Sequence, residues 1–432
     1  MLKPTYHTTA TTYLQDKMPI YMDWLQRMVN TNSFTANPMG VDKVGDMTAD
    51  MFAALGFTAR RVSAESAMYG RHLVLTRPNI PANAPTIALV SHLDTVYQAI
   101  EERQNNFHWQ VSGDRLYGPG TFDIKGGTVL MFMVLDALAA LAPELFNQVN
   151  WVLLFDAAEE ALVKDFGAVC REEIPEDALA CLVFEGGHRH GDRFDLVVAR
   201  KGMARYRIEV EGKASHAGTS HTQGANAIVQ LAEVVQRVAS FTNHADKITF
   251  NPGTIVGGTV INRVPHLAVM SLDMRAFEPA IFRDGHNKML ALDGFSTVQS
   301  ISDGYPCRVH VDVQGEWEPW SRNAATDNLL QLWQETAVSL GMSVGSEERG
   351  GLSDGNQTWR FVPTIDGLGP EGDNAHCSQR SEDGSKDQEY ALQSSFVPKA
   401  VLNTAAIIQL ITSRQQKQQP LGQNNEILIP SS

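Results

Sequence analysis

Apolar and polar residues alternate along the first part of the chain with the periods of helices and strands. Amphipathic helices are predicted near Met18 to Val29 and near Lys43 to Leu55, and a strand near Ile87 to Val90. The apolar run Thr128 to Leu141 has the length and content of a buried helix. This alternation of helices and strands is typical of an α/β fold.

Two further segments are short and continuously apolar, namely WVLLF at Trp151 to Phe155 and CLVF at Cys181 to Phe184. Strands without a polar face are buried on both sides. We therefore expect a sheet that is covered by helices on both faces.

The pattern changes to alternating strands after Val197, beginning with ARYRIEVEG. A helix follows from about Ala225 to Val238, with strands near Gly253 to Val260 and Leu267 to Arg275. These elements predict a separate α+β domain inserted into the first.

Helical spacing returns after Trp320 in NLLQLWQETAVSLG, and a last helix is predicted around Pro398 to Ser413. The segment from Gln415 onward is rich in Gln and Asn and is expected to be a mobile tail. The predicted organisation is a first domain at residues 1–202 and 318–414, an inserted domain at residues 203–317 and a tail at residues 415–432.

Charge and composition narrow the choice of partners for these 432 residues. The formal net charge is -14, and Lys and Arg form no cluster, which argues against nucleic acid or an anionic membrane as the main partner. The four cysteines have no CxxC spacing, so neither a disulfide framework nor a thiolate metal site is predicted. The first residues lack a secretory pattern, and the run Thr128 to Leu141 is shorter than the roughly 20 residues of a membrane helix. We expect a soluble cytoplasmic protein with a small ligand.

Candidate metal ligands follow three of the apolar strands directly, in SHLD at His92 and Asp94, in DAAEE at Glu159-Glu160, and in FEGG at Glu185. The carboxyl ends of parallel strands share one edge of a sheet, so these groups should converge there. A fourth carboxylate, Asp123, precedes the helix that follows GPGTFDIKGG.

Each of these signals is weak alone. A histidine at a strand end is more often a structural hydrogen-bonding group than a ligand. The adjacent pair Glu159-Glu160 more often marks the start of a solvated helix. In a metal site the pair has two roles, because one carboxylate binds the cation while the other accepts a proton from water.

Ten motifs in fixed order make the chain resemble the co-catalytic zinc exopeptidase and deacylase family of glutamate carboxypeptidase, aminoacylase and acetylornithine deacetylase. They are SHLDTV, GPGTFDIKGG, DAAEE, FEGG, ARKG, GKASHAG, INRVP, DMR, GGLSDGN and DGLGPEGDNAHC. The resemblance implies a mixed-sheet catalytic domain flanked by helices, with an inserted α+β lid or dimerisation domain.

The same resemblance implies a ligand set for two Zn²⁺ ions per subunit, with Co²⁺ or Mn²⁺ as substitutes. His92 and Glu185 would hold one ion, Glu160 and His376 the other, and Asp123 would bridge them. Glu159 would act as general acid and base. Asp94 is expected to orient the His92 imidazole.

Further candidate residues lie in the inserted domain and beside it. His216 in GKASHAG would stabilise the oxyanion in the active site of a partner subunit, which implies a homodimer through this domain; taken alone, it reads as a surface histidine. Asn262 and Lys201 match substrate-facing positions of the family, and the planar guanidinium of Arg275 suits a carboxylate. Gly351 is expected in a tight loop that borders the substrate. Alternatively, Arg275 is an exposed arginine at a strand end, and Gly350-Gly351 forms a plain turn. The HxH spacing of His188 and His190 is interpreted as a solvated loop.

The expected function is hydrolysis of an amide bond next to a free carboxylate, as in a glutamate-carboxypeptidase-like exopeptidase acting on a small peptide or N-acyl amino acid. An N-acyl-amino-acid deacylase and a catalytically silent metal-binding relative are the alternatives. Ser91 and Ala157-Ala158 depart from the family pattern without removing a ligand.

Overall fold

The computed structural model describes residues 6–81 and 83–418, the last three by their backbone only. These residues divide into two compact units. The larger unit comprises the residues up to Val198, Arg322–Glu347 and those from Ser353 onward, and the inserted unit comprises Ala199–Ser321 and Glu348–Leu352. The α/β prediction with an inserted α+β domain is confirmed.

The secondary structure alternates as expected for this class. The helices are α1 Tyr6–Val29, α2 Pro38–Ala53, α3 Ala99–Gln104, α4 Lys125–Leu141, α5 Pro143–Asn147, α6 Asp165–Glu173, α7 Ala227–Ser240, α8 Pro279–Leu290, α9 Ala324–Ser339, α10 Gly355–Thr358 and α11 Gln393–Gln418. The strands are β1 Thr58–Ser63, β2 Arg71–Thr76, β3 Thr86–His92, β4 Gln110–Ser112, β5 Arg115–Tyr117, β6 Asn150–Asp156, β7 Ala180–Val183, β8 His188–His190, β9 Arg193–Arg200, β10 Gly202–Glu211, β11 Thr249–Gly257, β12 Leu267–Ala276, β13 Arg308–Trp317, β14 Ser343–Arg349, β15 Thr364–Ile365, β16 Gly372–Asp373 and β17 Tyr390–Leu392.

The main sheet of the larger unit has the strand order β1-β2-β6-β3-β7-β15. Strands β6, β3, β7 and β15 run parallel, whereas β1 and β2 are antiparallel to their neighbours. The carboxyl ends of the parallel strands therefore lie along one edge, as the sequence predicted.

Both faces of this sheet are covered. Leu89 and Leu153 belong to one apolar core, and Val90 and Leu154 to another. Because successive side chains of a strand point to opposite faces, a strand buried on both sides carries no polar position. This explains the continuous apolar runs.

Two helices are longer than predicted. α1 begins at Tyr6 rather than near Met18, because Tyr6, Ala10 and Leu14 continue its buried stripe at a spacing of four. α11 begins at Gln393 and continues to Gln418, past the predicted start of the tail at Gln415. The remaining tail positions, 419–432, lie outside the described residues.

α11 also corrects an expectation about membrane helices, because it is long and apolar enough to cross a membrane by length and composition. However, 72% of its most apolar stretch is buried inside the protein. Thr404 donates to the Val134 carbonyl of α4, and Trp333 of α9 donates to Asn403. This burial is typical of a core helix.

The inserted unit contains a four-stranded antiparallel sheet in the order β11-β12-β10-β13. Helices α7 and α8 contribute Leu231, Val234 and Phe282 to a core shared with that sheet. Its observed bounds, Ala199 and Ser321, lie a few residues outside the predicted 203–317. Glu348–Leu352 is distant in the chain but belongs to this unit, where the Lys201 amide donates a hydrogen bond to the Arg349 carbonyl.

Candidate metal centre

The strand ends of the larger unit bring the predicted ligands to one edge of the sheet. His92 is the last residue of β3, Glu159 and Glu160 form a 3-10 turn after β6, and Glu185 follows β7 by two residues. Because β6, β3 and β7 are adjacent and parallel, these three loops are neighbours.

Asp123 lies between two histidines. Its Oδ1 is 3.1 Å from His92 Nε2, and its Oδ2 is 3.3 Å from His376 Nε2. Each oxygen of this carboxylate thus faces a different imidazole, which is the arrangement that a carboxylate bridging two cations needs.

A second carboxylate accompanies each histidine. Glu185 Oε1 lies 3.8 Å from His92 Nε2, and Glu160 Oε1 lies 3.3 Å from His376 Nε2. One ligand atom each of His92, Asp123 and Glu160 lie within 4.8 Å of one another. Imidazole nitrogens and carboxylate oxygens at such spacing fit Zn²⁺, so the donor set suits a divalent metal.

Asp94 supports this arrangement through three contacts. Its Oδ1 lies 3.2 Å from His92 Nδ1, and its Oδ2 accepts hydrogen bonds from the Thr35 hydroxyl at 2.7 Å and the Glu160 amide at 3.2 Å. A carboxylate on the far nitrogen of a ligand histidine fixes the orientation of the ring. Asp94 therefore joins the His92 strand end to the turn that carries Glu160.

The charges of the site shift the pKa values of its members. Burial raises the pKa of Glu159 well above its ordinary value; the charge of His92 opposes this, and those of Glu160 and Glu185 add to it. Burial also raises the pKa of Glu160, as does the charge of Asp123. Glu159 thus holds a proton more readily than an ordinary glutamate.

The histidines shift in the direction of their charged forms. Hydrogen bonds to Asp123 and Glu160 raise the pKa of His376 to about 11, against the effect of burial. Burial lowers the pKa of His92, but its bonds to Asp123 and Asp94 outweigh this and raise it. In turn, these histidines lower the pKa of Asp123 despite its burial. The two imidazoles and the Asp123 carboxylate thus favour one another's charged forms.

Glu389 is a buried residue that the sequence reasoning missed. Its Oε1 accepts hydrogen bonds from the backbone amides of Phe122 and Asp123 at 2.9 and 3.1 Å, and its Oε2 accepts from the Tyr97 hydroxyl at 2.7 Å. The Glu389 amide donates to the Cys377 carbonyl, next to His376. Glu389 therefore connects the Asp123 loop to the His376 loop. In the sequence Glu389 is visible only as an acidic residue directly before the short strand β17.

His188 and His190 require a correction, because they form the strand β8 rather than a solvated loop. His188 Nδ1 lies 3.2 Å from Glu347 and its ring stacks on Phe122, and His190 pairs with Asp195. Both imidazoles have carboxylate partners, which the HxH spacing did not reveal.

In the inserted unit, His216 and Asn262 lie on facing segments. The Ala217 amide donates to the Asn262 carbonyl, and both side chains are exposed. His216 Nδ1 accepts hydrogen bonds from the amides of Gly218 and Thr219 at 3.1 Å each. Its Nε2 therefore carries the proton when the ring is neutral and is the atom available as a donor.

Lys201 and Arg275 form another group in this unit. Arg275 donates to Asp273 and to the Gly350 carbonyl, each at 2.9 Å, and Arg200 reaches the Gly351 carbonyl at 3.4 Å. Burial lowers the pKa of Lys201, and the charges of Arg275 and Lys247 lower it further. Several positive charges thus gather beside the Gly350-Gly351 loop.

Comparison with known proteins shows similarity to peptidases in sequence and in fold. A profile for a peptidase dimerisation domain matches residues 198–291, which lie almost wholly in the inserted unit. Carboxypeptidase G2 of Pseudomonas sp. is 28% identical over 261 residues, 60% of this chain and 60% of that protein. By sequence and by fold the chain is therefore similar to M20 peptidases. The succinyl-diaminopimelate desuccinylase of Rhizorhabdus wittichii is 26% identical over 282 residues, 61% of this chain and 68% of that protein.

Solved structures share the M20 fold over almost the whole chain. The aminopeptidase PepT of Bacillus cereus has a TM-score of 0.69 at 20% identity, covering 91% of this chain and 98% of that one. The M20 family metallo-carboxypeptidase Sso-CP2 of Sulfolobus solfataricus has a TM-score of 0.65 at 15% identity, covering 90% and 99%. By sequence, the chain spans about three fifths of the first curated relatives it matches, which are carboxypeptidase G2 at 60% and a LysW-lysine/ornithine hydrolase at 59%.

Proposed function

We propose that this M20 protein hydrolyses an amide bond adjacent to a free carboxylate, as a glutamate-carboxypeptidase-like exopeptidase. The observation that carries the proposal is Asp123, whose two oxygens face His92 and His376 at 3.1 and 3.3 Å. Glu185 and Glu160 accompany these histidines, so the donors form two half-sites around one shared carboxylate.

In this proposal His92 and Glu185 would hold one Zn²⁺, Glu160 and His376 would hold a second, and Asp123 would be shared by both. Two such ions, when bound, supply acidification of water and polarisation of the scissile carbonyl. Asp94 keeps the His92 ring oriented and the Glu160 turn in place, because its carbonyl lies 3.1 Å from His92 Nδ1 and its Oδ2 accepts from the Glu160 amide.

Glu159 is the proposed general acid and base. Its raised pKa favours a carboxyl group that takes a proton from water and returns it to the leaving amine near neutral pH. Glu160, its sequence neighbour, is held by Asp94 through its backbone and faces His376 through its side chain. The two glutamates therefore have different proposed roles.

Carboxylate recognition is proposed for Arg275 and Lys201, with Asn262 and Gly351 also facing the substrate. The guanidinium of Arg275 suits a carboxylate because its planar donors match two oxygens. Lys247 adds a third cation, and both lysine ammonium groups lie over the Phe277 ring, at 5.5 Å for Lys201 and 5.2 Å for Lys247. Arg275 and Lys247 are also paired with carboxylates, so an anionic substrate would compete with those partners for the cations.

The test is a substrate panel offered to the Zn²⁺-loaded protein. It comprises dipeptides and N-acyl amino acids with acidic, basic or apolar C-terminal residues, each matched by its C-terminal amide, and release of free amino acid is followed. We expect turnover of the carboxylates and a loss of about 100-fold or more in kcat/KM for the amides. Equal turnover of both forms would contradict carboxylate recognition.

The same panel separates the alternatives. A deacylase, favoured by the relatives named desuccinylase and acetylornithine deacetylase, would prefer N-succinyl or N-acetyl substrates to dipeptides. Absence of turnover across the panel by protein that retains its metal would indicate a catalytically silent relative.

A further inference from the structure

A buried histidine lies next to the segment that carries Glu159 and Glu160. His72 is on β2, the antiparallel neighbour of β6, and its side chain is 0% exposed. Because Leu73 is paired with Phe155, His72 falls opposite the carboxyl end of β6, where Asp156 begins the turn. None of the proposed catalytic steps uses His72.

One nitrogen of His72 holds the start of this turn. Nδ1 accepts a hydrogen bond from the Ala157 amide at 3.1 Å and lies 3.2 Å from Asp156 Oδ1. The same Asp156 oxygen accepts from the Ala158 amide at 2.8 Å. Two successive backbone amides before Glu159 are thus bonded to a pair of buried side chains.

The other nitrogen reaches the far end of the segment. Nε2 lies 3.3 Å from Oδ2 of Asp165, the first residue of α6, and this oxygen also accepts from the Glu65 amide. The Phe166 ring lies 5.3 Å from the imidazole and restricts its rotation. His72 therefore contacts both ends of the segment Asp156–Asp165.

The segment between these contacts needs such support. Leu162 has a φ of 57°, a left-handed conformation that costs energy for a residue with a branched side chain. Asp156 is 0% exposed, and a buried carboxylate requires a positive or hydrogen-bonding neighbour.

We propose that His72 is a positioning residue that links Asp156–Ala157 to Asp165 and so fixes the turn that presents Glu159 and Glu160. The catalytic part of this inference rests on the proposed function, whereas the positioning of the turn does not. The Ala157-Ala158 pair before Glu159 leaves that turn without polar side chains of its own, and His72 with Asp156 supplies the missing partners for its amides.

The first test measures amide hydrogen exchange in the full-length, metal-free protein. His72→Asn places an acceptor near the Nδ1 position, and His72→Gln places a polar atom near Nε2, so each retains one end of the link. We expect the Ala157 amide to exchange about tenfold faster in His72→Gln, with less change in His72→Asn. If the His72 variants fail to fold, Asp165→Asn is used instead. It lies at a partly exposed position and weakens the contact between His72 Nε2 and Asp165.

Asp136→Asn is the matched control, because Asp136 is also a buried carboxylate but bonds to Lys17 and Tyr21 of α1. It should leave exchange in residues 156–165 unchanged. Exchange at Ala157 that equals wild type in His72→Gln and Asp165→Asn, or that rises equally in the control, would overturn the proposal.

The second test compares kinetics at equal metal content. His72→Gln should lower kcat about tenfold or more while KM and bound metal stay near wild type, because misplacement of Glu159 affects chemistry more than binding. If the Ala157 amide exchanges faster in His72→Gln but kcat is unchanged, the catalytic consequence is refuted while the positioning of the turn still holds. Inactivity of the wild-type protein would instead count against the proposed function.

Discussion

Glu159 and Glu160 are adjacent in the chain but have different surroundings. Glu160 faces His376 at 3.3 Å, and its amide donates to Asp94. The pKa of Glu159 is raised, chiefly by burial. Burial also raises the pKa of Glu160, so the two carboxylates are distinguished by their contacts rather than by the direction of their pKa shifts.

Glu159→Gln should therefore separate catalysis from metal binding. The amide keeps the shape of the side chain but cannot accept a proton, so we expect kcat to fall by about 10²- to 10⁴-fold. Metal content, measured by atomic emission on the dialysed protein, should stay near that of wild type. Full activity of the variant would refute the assigned role.

Metal binding should release protons. Contacts with carboxylates raise the pKa of His376 to about 11 and also raise the pKa of His92, which favours the protonated form of both rings. The stabilisation from charged His376 is complete below its ordinary pKa and is lost as the pH rises through about 11. Zn²⁺ requires neutral imidazole, so each displaced proton weakens apparent affinity roughly tenfold per unit decrease in pH.

Calorimetric titration with Zn²⁺ in buffers of different ionisation enthalpy measures this release. The observed heat should vary with the buffer. A heat that is independent of the buffer would show that no proton leaves.

At the scale of elements, strand order decides which loops meet. The sequence predicted β3, β6 and β7 from their apolar runs and placed His92, Glu160 and Glu185 at their ends. It did not predict that β2 lies beside β6, because antiparallel pairing of distant strands leaves no periodic signal. For this reason His72 was not recognised, and Glu389 was missed because its partners are backbone amides far away in sequence.

Family resemblance supplied the assignments that pattern alone left open. His376 follows no apolar strand, and its φ of 66° places it in a loop conformation that its sequence does not announce. The His376 loop is held near Asp123 by Glu389, which directly precedes β17. The Glu389 amide donates to the Cys377 carbonyl beside His376, and its carboxylate accepts from the Asp123 amide. These are tertiary contacts, and local propensity carries no information about them.

Glu389→Gln tests this link between loops. The neutral amide keeps one acceptor oxygen but presents a donor where the Asp123 or Phe122 amides or the Tyr97 hydroxyl need an acceptor. We expect Zn²⁺ affinity to fall about 10- to 100-fold, measured by competition with a chromophoric chelator. Glu382→Gln, at an exposed position, is the control and should bind as wild type does.

At the scale of the whole molecule, the inserted unit exposes an apolar edge. Ile255 and Val256 on the edge strand β11 are 56% and 72% exposed, and Ile261 is fully exposed. An exposed apolar edge strand favours pairing with another chain. Together with the match to a peptidase dimerisation domain, this supports the proposed homodimer.

Subunit mixing tests both the dimer and the proposed role of His216. If His216 serves the partner's site, Glu159→Gln and His216→Ala are each inactive, but their heterodimer contains one complete site. Random reassociation should then restore about a quarter of wild-type activity. Val256→Lys should prevent this recovery and halve the mass measured by light scattering. Recovery by the monomeric variant, or none by the dimer, would contradict shared sites.

The order of the elements also has a consequence for synthesis of the chain on the ribosome. The inserted unit has nearly all its strands between Ala199 and Ser321, so it can fold as soon as that stretch emerges. The larger unit instead needs β15 beside β7 and α11 against α4, contacts that close loops of well over a hundred residues. Until α11 is made, the part of α4 that α11 covers stays exposed, so nascent chains are expected to need chaperones during the interval in which the inserted unit is already complete.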